Sequence, residues 1–229
     1  MDTAVAISKT GSFTHGCSDC RVCFKETDLP WHSPTEEQFA VGGHQWSLRA
    51  NPGYWGSATP EILVLGFSKG PEQAKLIGEY VAGSHPEKRF EDIAFNDGRN
   101  LMRGNLKKLL TSIGLMDPKA SIDKLFEPTE KRFGLASLVR CSVTYAKPNS
   151  DVFVGTGGGI TSTTLKKRPD FVGNCVKQHL GEIPRSVKLI VMLGVTTGYV
   201  DESKKLLGGD PFFPRAACSY AYMAGQTPV

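Results

Sequence analysis

Three short apolar runs constrain the fold of this chain more than any other feature. Ile62 to Leu65 runs into Gly66, Leu135 to Val139 is apolar except for Ser137, and Leu189 to Leu193 runs into Gly194. A strand with one face in water alternates apolar and polar residues. A run without that alternation reads as a strand covered on both faces, as in a parallel sheet. Helical patterns fill the gaps between the runs. Pro71 suits the first turn of a helix with Leu76, Ile77, Tyr80 and Val81 on its apolar face. Met102, Leu106, Leu109, Leu110 and Ile113 recur at helical spacing, and Gly114 ends that stripe. Phe171, Val172, Cys175, Val176 and Leu180 form a third, closed by Gly181 and Pro184. Strands alternating with helices predict an α/β fold, a three-layer α/β/α sandwich around a short, mostly parallel central sheet.

The remainder of the chain is less regular. Residues 1–16 read as a loose leader. Residues 24–60 are rich in Pro, Gly, Trp and His and read as an irregular wrap with one short strand, packed by Trp31, Trp46 and Trp55. Residues 142–170 read as a long insertion whose "GTGGGITSTTLKKR" is a flexible surface loop, with Lys166, Lys167 and Arg168 as phosphate contacts. The glycines there lack the spacing of a phosphate-binding loop. At 229 residues the chain fits one domain. A net charge of +4 permits an acidic partner such as nucleic acid without requiring one. With no secretory signal and no long apolar span, the expected location is the cytoplasm, without a membrane and as a monomer.

The six cysteines carry the chemistry. In a reducing compartment they are unlikely disulfides. Cys17, Cys20 and Cys23 fall within seven residues, followed singly by Cys141, Cys175 and Cys218. Thiolates spaced two residues apart reach one soft metal centre, zinc or iron–sulfur. Cys141 follows a core strand and Cys175 lies on a helix, both suitable places for a side chain to meet the N-terminal trio. Spacing leaves zinc and a cluster as alternatives. His32 and His44 lie near tryptophans and receive no role.

Four stretches resemble the iron–sulfur uracil-DNA glycosylases, families four and five. "GNCVKQHLGEIPRSVKLIVMLG" (173–194) is similar to the helix that a cluster cysteine opens and the strand after it. "GLASLVRCSV" (134–143) resembles the strand ending in Val-Arg/Lys-Cys, "RGNLKKLLTSIGL" (103–115) the helix after the substrate loop, and "EILVLGFSKG" (61–70) the first catalytic motif. The resemblance covers residues 61–195. It implies a DNA-repair glycosylase that flips uracil or a related deaminated base from DNA and hydrolyses its glycosidic bond, with nucleoid association. It divides the chain into a cysteine-bearing segment, 1–60, packed on a glycosylase-like domain, 61–229. It also implies a [4Fe–4S] cluster held by Cys141, Cys175 and two of the trio: Cys17 with Cys20 first, Cys20 with Cys23 as the alternative, and Cys218 a spectator.

By the same resemblance, Gly66, Phe67, Ser68, Lys69 and Gly70 form the water-positioning loop. Ser68 orients the water, Gly66, Phe67 and Gly70 approach the substrate, and Phe95, rather than Phe90, stacks on the base. Ser137 stands where family four carries a uracil-reading asparagine, which points to a broader, family-five-like pocket. Ser68 and Lys69 depart from the family's usual residues in this motif. The family's second motif, His-Pro-Ser/Ala, is expected beyond "AACSYAYMAGQTPV". The resemblance therefore implies a C-terminally incomplete, weakly active enzyme, or a non-catalytic lesion-sensing relative. It further implies an exposed, protonated Lys69 and a bare sheet edge near Thr227–Val229.

Overall fold

The computed structural model describes residues 12–24, 36–41, 43–84, 89–93, 95, 101–155, 157–194, 197–207, 209–211, 222–224 and 227–228. In chain order the elements are β1 (Gly16–Cys17), β2 (Glu36–Val41), β3 (His44–Arg49), β4 (Gly53–Gly56) and β5 (Ile62–Gly66). Then come α1 (Pro71–Val81), α2 (Phe90–Ile93), α3 (Leu101–Ser112), a 3-10 turn (Ile122–Phe126), β6 (Phe133–Ser137) and β7 (Ser142–Ala146). The last are α4 (Gly157–Lys167), α5 (Pro169–Leu180), β8 (Leu189–Met192), α6 (Thr197–Leu206), β9 (Gly209–Pro211), β10 (Tyr222–Ala224) and β11 (Thr227–Pro228).

The central sheet has the order β1-β4-β6-β5-β8. Strand β5 runs parallel to its two neighbours, β6 and β8, with Ile62 opposite both Phe133 and Leu189. The unalternating run Ile62–Leu65 is covered on both sides, as its composition requires. Leu63 and Leu65 face a cluster with Trp46, Val139, Phe171 and Val172, which α4, α5 and α6 complete. Ile62 and Val64 face the opposite cluster, with Ile77, Leu106, Leu110 and Phe126 from α1, α3 and the 3-10 turn. The chain is thus a mixed α/β fold with helices on both faces of a central sheet.

Several expectations change. The sheet is mixed, because β4 pairs antiparallel with β6 and β1 antiparallel with β4. Residues 12–60 are therefore more than an irregular wrap. They supply two strands of the central sheet and the hairpin β2–β3, which pairs with β7 in a second antiparallel sheet. Strands this short, broken by Gly and Pro, leave no period to read. Trp46 and Trp55 are buried as expected, while Trp31 lies outside the described residues. Nor are residues 12–16 a loose leader, since Phe13 is buried edge-on against Tyr54, with ring centroids 5.6 Å apart.

The supposed insertion contains β7 and α4. Three glycines disfavour a helix by roughly 1 kcal/mol each relative to alanine. Here Ile160, Thr164 and Leu165 bury one face of α4, and tertiary packing overrides propensity. On α3 only Leu106 and Leu110 of the apolar stripe are buried, leaving Met102, Leu109 and Ile113 exposed. Gly114, at φ 74, ends that helix as its position predicts. At the far end Thr227 and Pro228 pair with Ala224 and Met223, so the bare edge expected there is partnered on that side. Among the described residues no helix is long and apolar enough to cross a membrane.

Gly134 is the tightest point of the central sheet. The Tyr54 hydroxyl, which donates to the Ser57 carbonyl, occupies the space a Cβ would take. Gly134→Ala must displace that ring and is expected to cost ~1–3 kcal/mol of unfolding free energy in urea denaturation.

Candidate thiol centre and neighbouring cleft

The corner between β6 and β7 positions Cys141. Pairing of β5 and β6 extends past both strands, with the Leu138 N–H donating to the Gly66 carbonyl (2.9 Å) and the Val139 N–H to the Phe67 carbonyl (2.8 Å). The chain then bends. The Arg140 guanidinium donates to the Gly53 carbonyl (3.2 Å) and the Ser12 carbonyl (3.0 Å), and the Ser142 N–H donates to Asn51 Oδ1 (2.9 Å). Cys141 is buried at the centre of this corner.

Cys175 comes from the buried stripe of α5 and accepts a hydrogen bond from the Arg140 backbone. Cys23 reaches the same helix, since Asn174 Nδ2 donates to its sulfur at 3.6 Å. Cys20 lies close enough to Cys23, Cys141 and Cys175 for its charge to act on all three. Burial first, and then Cys175, pushes the Cys141 thiol up. Burial first raises Cys175 to about 11, with Cys23 and Cys20 adding to the shift. Cys17 lies elsewhere, in the opposite apolar cluster with Trp55 and Phe90, and burial raises it to about 12. Cys141 and Cys175, with Cys23 packed against them, thus lie in one apolar cluster and Cys17 in the opposite one. Cys218 is outside the described residues. Among the described residues no three His, Cys, Asp or Glu side chains stand close enough to hold one metal ion.

Three residues beside the thiols escaped the sequence reading. Lys69 is fully buried rather than exposed, and burial pulls its ammonium down to about 8. Arg140 is equally buried. His179, one turn after Cys175 on the same stripe, is held neutral; burial first, and then Arg140 and Lys69, lower it to about 3. The i, i+4 spacing from Cys175 was a usable signal for His179, whereas nothing in the sequence marks Lys69 as buried.

The other pocket residues divide between the two faces. A Cβ at Gly66 would lie 3.8 Å from Ser137 Oγ and 4.0 Å from the Phe95 ring, so these three meet at the carboxyl ends of β5 and β6. Phe95 is held at φ 49, a left-handed backbone that is strained for an aromatic residue. Its ring lies 5.7 Å from that of Phe126 and lines an apolar cleft of about 280 Å³ with Met102, Asn105, Leu106, Leu109 and Leu193. Phe67 turns to the thiol face, edge-on to Tyr199 at 6.1 Å, and away from that cleft. Ser68 is half-buried, and Gly70 is the cap that opens α1. Phe90 stacks on Trp55 at 4.8 Å as core. Arg168 is engaged with Asp170 and the Phe171 ring, while Lys166 and Lys167 are exposed. His44 packs against Trp46 and Tyr145, and His32 lies outside the described residues.

The fold and site together define a mixed α/β protein with a buried thiol centre on one face of its sheet and an aromatic-lined cleft on the other. No protein-family model, curated protein or solved structure matches the chain.

The neutral His179 has a consequence for pH. Between the ordinary imidazole value of 6.5 and about 3, unfolded chains take up a proton that the folded protein excludes. Stability therefore falls as pH drops through that window, by up to about 1.4 kcal/mol per unit. Urea unfolding across this range should show a shallower acid slope for His179→Gln than for the parent protein.

Proposed function

We propose that this chain is a DNA base-excision protein of the uracil-DNA glycosylase type, a three-layer α/β/α sandwich carrying a [4Fe–4S] cluster on Cys20, Cys23, Cys141 and Cys175. The observation that carries this reading is the meeting of those four thiols from three distant parts of the chain, 20–23, 141 and 175. The donor set suits such a group, being four soft sulfurs on backbone already fixed by the β6–β7 corner and α5. Zinc needs thiolates packed within one tetrahedron. Zinc stands as the alternative occupant of the same thiols. The group would supply a rigid cross-link tying residues 20–23 to the corner and the helix. Coordination holds each sulfur as thiolate and so offsets the burial that opposes ionisation.

The substrate work falls to the opposite face. A base turned out of DNA would enter the cleft, stack on Phe95 and lie against the bare backbone of Gly66. The Ser137 hydroxyl, beside Gly66, would meet a polar edge of the base, and Ser68 would orient a water at the sugar. Cleavage leaves negative charge on the departing base, and each preorganised donor to it is worth ~10²–10³ in rate. The lining of the cleft, apolar but for Asn105 among the described residues, favours a second reading as well, a lesion-binding relative with slow or absent turnover. In both readings the partner is DNA and the compartment is the cytoplasm.

Protein purified without oxygen should be brown and contain iron and sulfide at about four each per chain. Cys23→Ala should lose the centre and Cys17→Ala should keep it. Stoichiometric zinc without visible absorbance would refute the cluster. Phe95→Ala should weaken binding to lesion-bearing DNA by ~1–3 kcal/mol in a titration at fixed salt. Base release from single-stranded and duplex DNA carrying uracil, hypoxanthine or an etheno adduct separates the two readings. Turnover supports the enzyme, and binding without release supports the sensor.

A further inference from the structure

Phe95 sits in a backbone conformation that an aromatic residue adopts only when its surroundings hold it there. Its φ of 49 is left-handed, and such strain persists where the neighbouring structure over-determines it. The Phe95 ring is buried and lies 5.7 Å from that of Phe126, with 42° between their planes. Phe126 in turn is fully enclosed, and the Arg103 guanidinium carbon lies 4.3 Å from the centre of its ring. That guanidinium is fixed at both ends. Its Nη1 donates to Asp123 Oδ1 and its Nη2 to the Glu91 carbonyl, each at 2.5 Å. One side chain from α3 thereby ties α2 and the 3-10 turn together across the ring that packs on Phe95.

The place of Arg103 in the chain matters as much as its contacts. Phe95 comes just after α2, and Arg103 lies in the first turn of α3. Met102 and Leu106 of that same helix line the cleft beside Phe95. The clamp therefore joins both ends of the stretch that carries Phe95. A guanidinium over an aromatic face, with its charge answered by a carboxylate, is attractive and directional. We propose that Arg103 is a positioning residue of the cleft: it holds Phe126, and through it the strained Phe95 ring, so that a base enters against a stacking face already in place. This rests on the reading of the cleft as the base pocket above. A ring fixed beforehand loses no rotamer freedom on binding. The clamp thus contributes to recognition of the base, whereas the hold on undamaged DNA comes from phosphate contacts.

Fluorescence anisotropy at one salt concentration tests this, with a duplex carrying a single uracil, hypoxanthine or etheno adduct and the same duplex undamaged. Arg103→Met should bind the lesion-bearing duplex about tenfold more weakly, within the worth of one base–aromatic stack. Its affinity for the undamaged duplex should match the parent's. In a Phe95→Ala background the same substitution should change lesion affinity by less than about twofold, because a residue acting through Phe95 has nothing left to position. Asp123→Ala removes an exposed carboxylate, leaves the core in place and should weaken lesion binding in the same direction. It carries the test if Arg103→Met does not fold. Equal losses on the two duplexes, or an undiminished loss in the Phe95→Ala background, overturn the role. So does parent-like lesion affinity in Arg103→Met, or in Asp123→Ala where that is the variant measured. A parent protein that binds each lesion-bearing duplex no better than undamaged DNA is a different result, and defeats the base-pocket reading itself.

Discussion

The corner from Leu138 to Ser142 is the constraint on which the rest of the structure depends. It leaves the central sheet as β6 and enters the second sheet as β7 within a few residues. Its backbone is tied to the loop after β5 by the bonds to Gly66 and Phe67. Its Arg140 side chain reaches the N-terminal segment at Ser12 and β4 at Gly53, and its Ser142 N–H is held by Asn51. Three stretches distant in sequence, at 12, 51–53 and 66–67, thus converge on one buried turn. Polar groups here have nowhere else to be satisfied, since exposing them means dismantling both sheets.

That convergence explains how the two candidate sites are related. The loop Gly66–Gly70 passes between them. Gly66 adjoins Phe95 and Ser137 on the cleft side, while Lys69 enters the core on the thiol side. The thiol centre and the cleft share no described side chain, but they share this loop and the ends of β5 and β6. Phe95, strained at φ 49, and the bare Gly66 opposite it both sit where this backbone is fixed.

Burial decides the electrostatics throughout. It raises Cys17, Cys141 and Cys175 and lowers Lys69, Arg140 and His179, in each case as the leading cause. The interior therefore favours neutral thiols and a neutral imidazole beside Lys69 and Arg140, on groups that come from the sheet corner, the loop after β5, α5 and the N-terminal turn.

The sequence by itself determined the parts whose physics is local. Unalternating apolar runs placed β5, β6 and β8 to within two residues, and helical stripes placed α1, α3 and α5, because solvent exclusion writes its period directly into the chain. Their places after a core strand and on a helix marked Cys141 and Cys175 as candidates to meet the N-terminal trio. Only the tertiary structure shows on which side of the central sheet each of the N-terminal cysteines falls. All three have the same local spacing, and the pairing of β1 with β4 carries Cys17 into the other cluster. It also turned "GGGITSTTLKK" into a helix, since burial of Ile160 and Leu165 outweighs the glycine penalty. The direction of Lys69 was equally invisible. A single residue after a strand points into the core or into solvent according to the neighbours that close over it. Those neighbours are Arg140, Cys141 and Ser142, seventy residues away along the chain and brought there by the parallel pairing of β5 and β6.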